Sequence, residues 1–188
     1  AAPGIDAERF AAAASPARAA IVSPGRLVWE KGHYDVVRAL ALGGGERRLL
    51  VVGDGRERAR LLRYADELGV GDRVEIRPAP YEEMPRLFGT AAVVVLASLA
   101  TPTWEEQFGM VLAEAMAAGA PIVASRSGAI PEVLEGSAAA LFDPGDWVAL
   151  AELLASPPSG VHDHGVVGRY TREAAAERLA AAYERVLS

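Results

Sequence analysis

Six short apolar runs, each separated from the next by a longer stretch with a different pattern, constrain this chain more than any other feature. They are "AAIVSPG" (19–25), "RLLVVGD" (48–54), "RVEIRP" (73–78), "AVVVLAS" (92–98), "PIVAS" (121–125) and "AAALFD" (138–143). Near-continuous runs of this length suit strands covered on both faces, as in a parallel sheet. Amphipathic segments lie between them, among them "GHYDVVRALAL" (32–42), "RERARLLRYADELG" (56–69) and "DWVALAELLAS" (146–156). The alternation predicts an α/β fold, a doubly wound, mostly parallel sheet of about six strands with helices on both faces. A chain of 188 residues that is 51% hydrophobic can bury the core of one such domain.

Both ends depart from this pattern. Residues 1–18, "AAPGIDAERFAAAASPAR", read as a linker or hinge entering the domain at 19–170. Residues 156–168 form a loop rich in Pro and Gly, and "TREAAAERLAAAYERVL" (171–187) reads as a C-terminal helix with Thr171 as its N-cap.

Composition removes several classes of function. The absence of cysteine excludes disulfides, thiolate catalysis and Cys-ligated metal, and fits a reducing compartment. A net charge of -6, with acids and arginines mixed along the chain, offers no electrostatic footprint for nucleic acid. No apolar run approaches the ~20 residues that cross a bilayer, and the N-terminus lacks the regions of a signal peptide, so a cytoplasmic protein is expected. Of the 19 basic residues only Lys31 is lysine. It marks either a site that needs a compact point charge or a retained surface residue.

In open parallel sheets ligands bind outside the carboxyl ends of the strands, where loops lead into helices. The first such turn, "GRLVWEKGH" (25–33), offers Arg26 and Lys31, a pair of cations suited to a phosphate or diphosphate or, alternatively, two surface charges. The second is "TWEEQFGMVLAEAMAAGAPIVAS" (103–125). There Gly109 permits close approach, and the backbone amides of Phe108, Gly109, Met110 and Val111 would face an anion at a helix N-terminus. Glu106 precedes that helix; Glu114 lies inside it among apolar residues, where burying a carboxylate costs several kcal/mol unless strong donors meet it. Sugar hydroxyls are such donors, and an arginine or a neighbouring loop is the structural alternative. "GDGRER" (53–58) lacks the third glycine of the dinucleotide fingerprint, and no P-loop is present. "HDH" (162–164) has no partner motif for metal and is expected at the surface, and His33, after Lys31 and Gly32, is either a ligand contact or, the favoured expectation, a surface residue.

Four ordered blocks carry a resemblance: "SPGRLVWEKGHYDVVRAL", "LLVVGDGRERARLLRYADELGVGDRVEI", "ASLATPTWEEQFGMVLAEAMAAGAPIVAS" and "SGAIPEVL". Together they resemble the C-terminal, donor-binding domain of retaining glycosyltransferases of family 4 (group 1), which have the GT-B fold, with Glu106 and Glu114 as the Glu-x7-Glu motif. The resemblance implies a Rossmann-like domain that holds a nucleotide diphosphate sugar, UDP- or GDP-linked, with no required metal or other cofactor. Arg26 and Lys31 would stabilise the departing diphosphate, Glu106 would contact the donor sugar, and Glu114 would bind the ribose diol. Phe108, Gly109, Met110 and Val111 would present amides to phosphate and sugar. Arg77 and Pro80 would approach the base, although "RPAPYEEM" lacks the glycine expected in that loop.

The family's other domain, which supplies the acceptor site, is absent from these residues, so the fragment is expected to bind donor and to transfer sugar poorly or not at all. Contact of the full-length protein with a membrane, to reach a lipid acceptor, is left open. A related GT-B enzyme, such as a nucleotide-sugar epimerase or glycoside phosphorylase, and a non-catalytic nucleotide-sugar-binding module are the alternatives.

Overall fold

The computed structural model describes residues 4–15, 19–158 and 161–187. Its centre is a six-stranded sheet in which every strand pair is parallel. The strands are β1 (Ala20–Pro24), β2 (Arg48–Val52), β3 (Val74–Arg77), β4 (Ala91–Leu96), β5 (Ile122–Ser125) and β6 (Ala140–Phe142), in the order β3-β2-β1-β4-β5-β6. Each falls within or one residue beyond a run read from the sequence.

Alternation along the strands divides the interior into two cores. Ile21, Val93, Val95 and Val123 point to one face, while Val22, Val94, Leu96, Ile122 and Ala124 point to the other. The first face is covered by helices α2 (His33–Gly43), α3 (Arg58–Glu67) and α7 (Trp147–Ala155), through Val36, Val37, Leu40, Leu61, Leu150 and Leu154. The second is covered by α4 (Met84–Gly89), α5 (Met110–Ala117) and α6 (Ile130–Val133). The reason lies in the strand order. The chain moves outward from β1 to β3, returns to the far side of β1 and moves outward again, so the crossover helices change face. The reversal leaves a crevice between the carboxyl ends of β1 and β4.

The terminal stretches are more ordered than their composition suggests. Of the expected linker, residues 1–3 and 16–18 lie outside the described residues. Within the rest, Asp6 caps α1 (Ala7–Ala11) by accepting from the Arg9 amide at 3.1 Å, and Phe10 is fully buried against Phe88. Ile5 pairs with Thr171, and its amide donates to the Tyr170 carbonyl at 2.8 Å. The loop at 156–168 contains a short helix, α8 (His164–Gly168), capped by Asp163. As expected, Thr171 caps the last helix, α9 (Arg172–Leu187), with its hydroxyl accepting from the Ala174 amide at 3.2 Å.

Two histidine expectations are corrected. His162 is buried: its Nε2–H donates to the Ala120 carbonyl at 2.7 Å, and its Nδ1 accepts from the Ala138 amide at 3.4 Å. Both ring nitrogens are engaged, so this ring fastens a loop to the β5 side of the sheet. No group of acidic or imidazole side chains able to hold a metal occurs among the described residues. His33, at 3% exposed, is likewise interior.

Candidate functional site at the sheet reversal

The crevice is built by two loops that reach toward each other. After β1 the chain makes a 3-10 turn over Trp29–Lys31 and enters α2 at Gly32, whose φ of 67° is left-handed. A Cβ on Gly32 would lie 1.9 Å from the Ala97 carbonyl oxygen, so only glycine allows this loop to touch the end of β4. The Leu99 amide donates to the Glu30 carbonyl at 2.8 Å and ties the two loops together.

Across that tie, the Lys31 ammonium lies 2.6 Å from Glu106 Oε2, and the two side chains are 14% and 10% exposed. Ser98 Oγ donates to the same carboxylate oxygen at 2.8 Å, and the Lys31 ammonium stands 5.4 Å from the centre of the Trp104 ring. Backbone contacts hold Glu106 in turn, since its carbonyl accepts from the Ala129 amide at 2.9 Å. The lone lysine and the first acid of the motif therefore form one desolvated pair. Sequence reading named both but not their partnership.

Arg26 behaves differently from Lys31. It is exposed, and its guanidinium has no hydrogen-bond or ion-pair partner among the described residues. What fixes its loop is His33. Because the Arg26 carbonyl can only accept, the His33 Nε2 that stands 3.3 Å away carries the proton, and Nδ1 therefore accepts from Ser23 Oγ at 2.9 Å. Burial lowers the His33 pKa to about 4, the Arg26 and Gly25 backbone raising it in part, so the ring is neutral at pH 7.

The second loop ends in the seat read from the sequence. Gly109, with φ 68°, opens α5, and none of the described residues accepts from the amides of Phe108, Gly109, Met110 and Val111. Four successive unpaired N–H groups at a helix start form an anion-binding arrangement. The Phe108 ring packs edge-on against Tyr170 at 5.5 Å, which anchors that seat to the core.

Glu114 lies more than a turn further along α5 and is 4% exposed. Burial raises its pKa, and the Tyr81 hydroxyl, donating to Oε1 at 2.8 Å, partly offsets that rise. A protein donor thus occupies part of the carboxylate for which sugar hydroxyls were expected. Tyr81 comes from the 3-10 turn Tyr81–Glu83, its ring edge-on to Phe10 at 6.1 Å and its hydroxyl pKa pushed up to about 12 by partial burial and by Glu114. The loop after β3 reaches the site through this residue. Arg77 pairs with Glu75 and Glu83 at 3.2 and 3.1 Å, and Pro80 is exposed; no hydrogen bond or ion pair joins either side chain to the other named site residues.

Buried serines also escaped the sequence reading. Besides Ser23 and Ser98, Ser125 Oγ donates to the Ser98 carbonyl at 2.6 Å and Ser127 Oγ to that of Leu99 at 3.0 Å. Their signal was a small polar residue at or just beyond the end of an apolar strand run, as in "IVSP", "VLAS" and "IVAS".

Residues 4–157 match the family model described as glycosyl transferases group 1. The chain belongs to that family. This group 1 glycosyltransferase chain is 30% identical over 217 residues to a D-inositol 3-phosphate glycosyltransferase of Corynebacterium jeikeium, covering 98% of this chain and 51% of that protein. It is 33% identical over 190 residues to a GDP-mannose-dependent alpha-(1-6)-phosphatidylinositol monomannoside mannosyltransferase of Mycolicibacterium smegmatis, covering 89% of this chain and 50% of the other. Among solved structures, a glycosyltransferase from Rickettsia africae superposes with a TM-score of 0.84 at 20% identity, over 99% of this chain and 56% of its own, a likeness of fold. The group 1 chain thus spans about half the length of these curated relatives. None of its described helices is long and apolar enough to cross a membrane.

Proposed function

We propose that residues 19–170 hold the nucleotide diphosphate sugar of a retaining glycosyltransferase, with the diphosphate between Arg26, Lys31 and the amides of Phe108 to Val111. The observation that carries this reading is the conjunction of the Lys31–Glu106 pair with the unpaired α5 amides, both in the crevice where strand order reverses. Glu106 would take the donor-sugar hydroxyls and Glu114 the ribose diol, with Tyr81 yielding its hydrogen bond to the ribose. Arg77 and Pro80 would border the base. The nucleotide would be UDP or GDP, the second supported by the relative named as GDP-mannose-dependent.

The chemistry follows from where charge develops. As the bond from anomeric carbon to phosphate oxygen breaks, the diphosphate gains negative charge. Fixed cations and a helix N-terminus stabilise that state more than the ground state. These residues supply the stabilisation without a metal. The site that binds the acceptor is assigned to sequence that this chain does not span, in a cytoplasmic protein that can approach a membrane through that part. The terminal helix, 171–188, would be an appendage to the donor unit, and 1–18 its hinge. This chain by itself would bind donor with little or no transfer.

Calorimetric titration of UDP, GDP and ADP into this chain and its Glu114→Gln variant tests the reading. Saturable binding of one nucleotide, weakened in the variant, is expected. Absence of binding at millimolar nucleotide, or binding indifferent to the substitution, would overturn it.

A further inference from the structure

On the α2–α3 face of the sheet lies a cavity of about 610 Å³, behind the loop that carries Lys31. Its volume is within the range of small-molecule sites. The rings of Tyr34 and Tyr64, 5.4 Å apart and inclined by 61°, form one wall, and Trp29, 53% exposed, stands at another. Large aromatic faces left partly open in a concavity favour a ligand with apolar faces of its own.

The polar groups narrow the class. Asp35 is 8% exposed and lines the cavity, yet its carboxylate makes no hydrogen bond among the described residues; the Arg38 guanidinium is its nearest cation, at 3.7 Å. A carboxylate so placed gains from a donor brought by a ligand. Arg38 is committed elsewhere: its Nε donates to the Tyr64 hydroxyl, and its guanidinium lies 5.6 Å from the Tyr64 ring centre and 5.9 Å from that of Trp147. Glu57 accepts from the Tyr34 hydroxyl at 2.8 Å and faces Arg60 at 3.7 Å. Two carboxylates and two guanidinium groups thus cancel along the lining, so neither an anion nor a cation gains a net field there. A neutral molecule with hydroxyl edges and apolar faces matches what remains.

We propose that this cavity binds a neutral sugar ring, with Asp35 accepting from its hydroxyls and Trp29 and Tyr64 covering its faces. Gly32 and Leu99 line it and belong to the loops that carry Lys31 and Glu106. A ring held here lies one loop away from that pair, and its binding does not depend on the donor reading above.

The test is an amide NMR titration of this chain with the methyl α-glycosides of glucose, mannose and galactose, in the absence and presence of saturating UDP. Expected are saturable shifts at Gly32, Gly145 and the Trp29 indole for at least one glycoside, with or without UDP. Trp29→Ala, at an exposed position that folding tolerates, and Asp35→Asn, which conserves shape, each raise the apparent Kd about tenfold, while Leu179→Ala, at an exposed position of α9, leaves it unchanged. Shifts confined to the amides of Phe108 to Val111, tighter binding of glucose 6-phosphate or tetramethylammonium than of any neutral glycoside, or no response to the three sugars would each sink the proposal. Glycoside binding by a chain that takes up neither UDP nor GDP in the calorimetric titration would leave the cavity as a sugar site and remove the donor reading instead.

Discussion

The Lys31 ammonium and Glu106 Oε2 stand 2.6 Å apart although 75 residues separate them, and their contact joins the loop after β1 to the loop after β4. Removing one partner strands the other charge in a nearly dry site. Lys31→Met is therefore expected to lower stability by ~2–3 kcal/mol in urea denaturation, and the double variant Lys31→Met/Glu106→Gln to regain most of that loss. Nucleotide binding should fail in both. Equal stability loss in the single and double variants would mean the pair is not coupled.

Arg26 offers the converse. With no partner to lose, Arg26→Ala should change stability by less than about 0.5 kcal/mol. On the proposed reading, in which this cation meets the diphosphate, calorimetry should show UDP affinity reduced toward that of uridine. An Arg26→Ala chain that discriminated UDP from uridine as well as wild type would place the anion elsewhere.

Glu114 carries a stability cost of burial, which the proposed ribose contact would relieve. Its carboxyl pKa is raised by burial, so the folded chain binds more protons than the unfolded chain between the ordinary carboxyl value and the raised one. Stability on this account falls as pH rises through that interval. Glu114→Gln should melt at a higher Tm than wild type at pH 7, with the difference shrinking below the ordinary carboxyl range, while binding nucleotide about tenfold more weakly or worse. A Gln variant less stable at pH 7 would contradict the account.

Tyr81 competes for the same carboxylate. Tyr81→Phe removes the internal donor to Oε1 and leaves that oxygen for a ribose hydroxyl to satisfy. The variant should lose roughly 1 kcal/mol of stability without ligand and bind UDP several-fold more tightly. Weaker binding would show the tyrosine to be a ligand contact in its own right.

His33 sets an acid limit. Its pKa is about 4 in the folded chain against 6.5 for the free group, so the unfolded chain binds the extra proton between those values. The stability contributed is complete above pH 6.5 and is lost as pH falls toward 4, on the order of 3 kcal/mol. His162, also lowered by burial, acts in the same direction. His33→Gln should flatten part of the urea-midpoint profile in that window, which a pH series measures directly.

What could be read in the sequence depended on distance along the chain. The six strands, the helix after Gly109 and the amide seat are local patterns, and period and glycine placement were enough to find them. The burial of His33 and His162 was not legible, because each is satisfied by backbone groups whose position depends on the closed sheet. Tyr81 was missed for a related reason. In its loop the resemblance points to Arg77 and Pro80, whereas the residue that reaches Glu114 does so across 33 positions and is supported by Phe10, which reads as linker. Arg26 and Lys31 looked equivalent in sequence, and only folding distinguishes the free cation from the paired one.

The division of the interior by the sheet also bears on how such a chain can change. Glu114 belongs to a helix packed on one core and Asp35 to a helix packed on the other, with the strands as a common wall between them. Substitutions that refit one compartment touch a different buried cluster from those that refit the other, so their effects should add. A lineage could therefore reshape the cavity behind α2 and α3 while leaving the start of α5 intact. The Lys31 loop, which borders both, is the place where the two histories would have to agree.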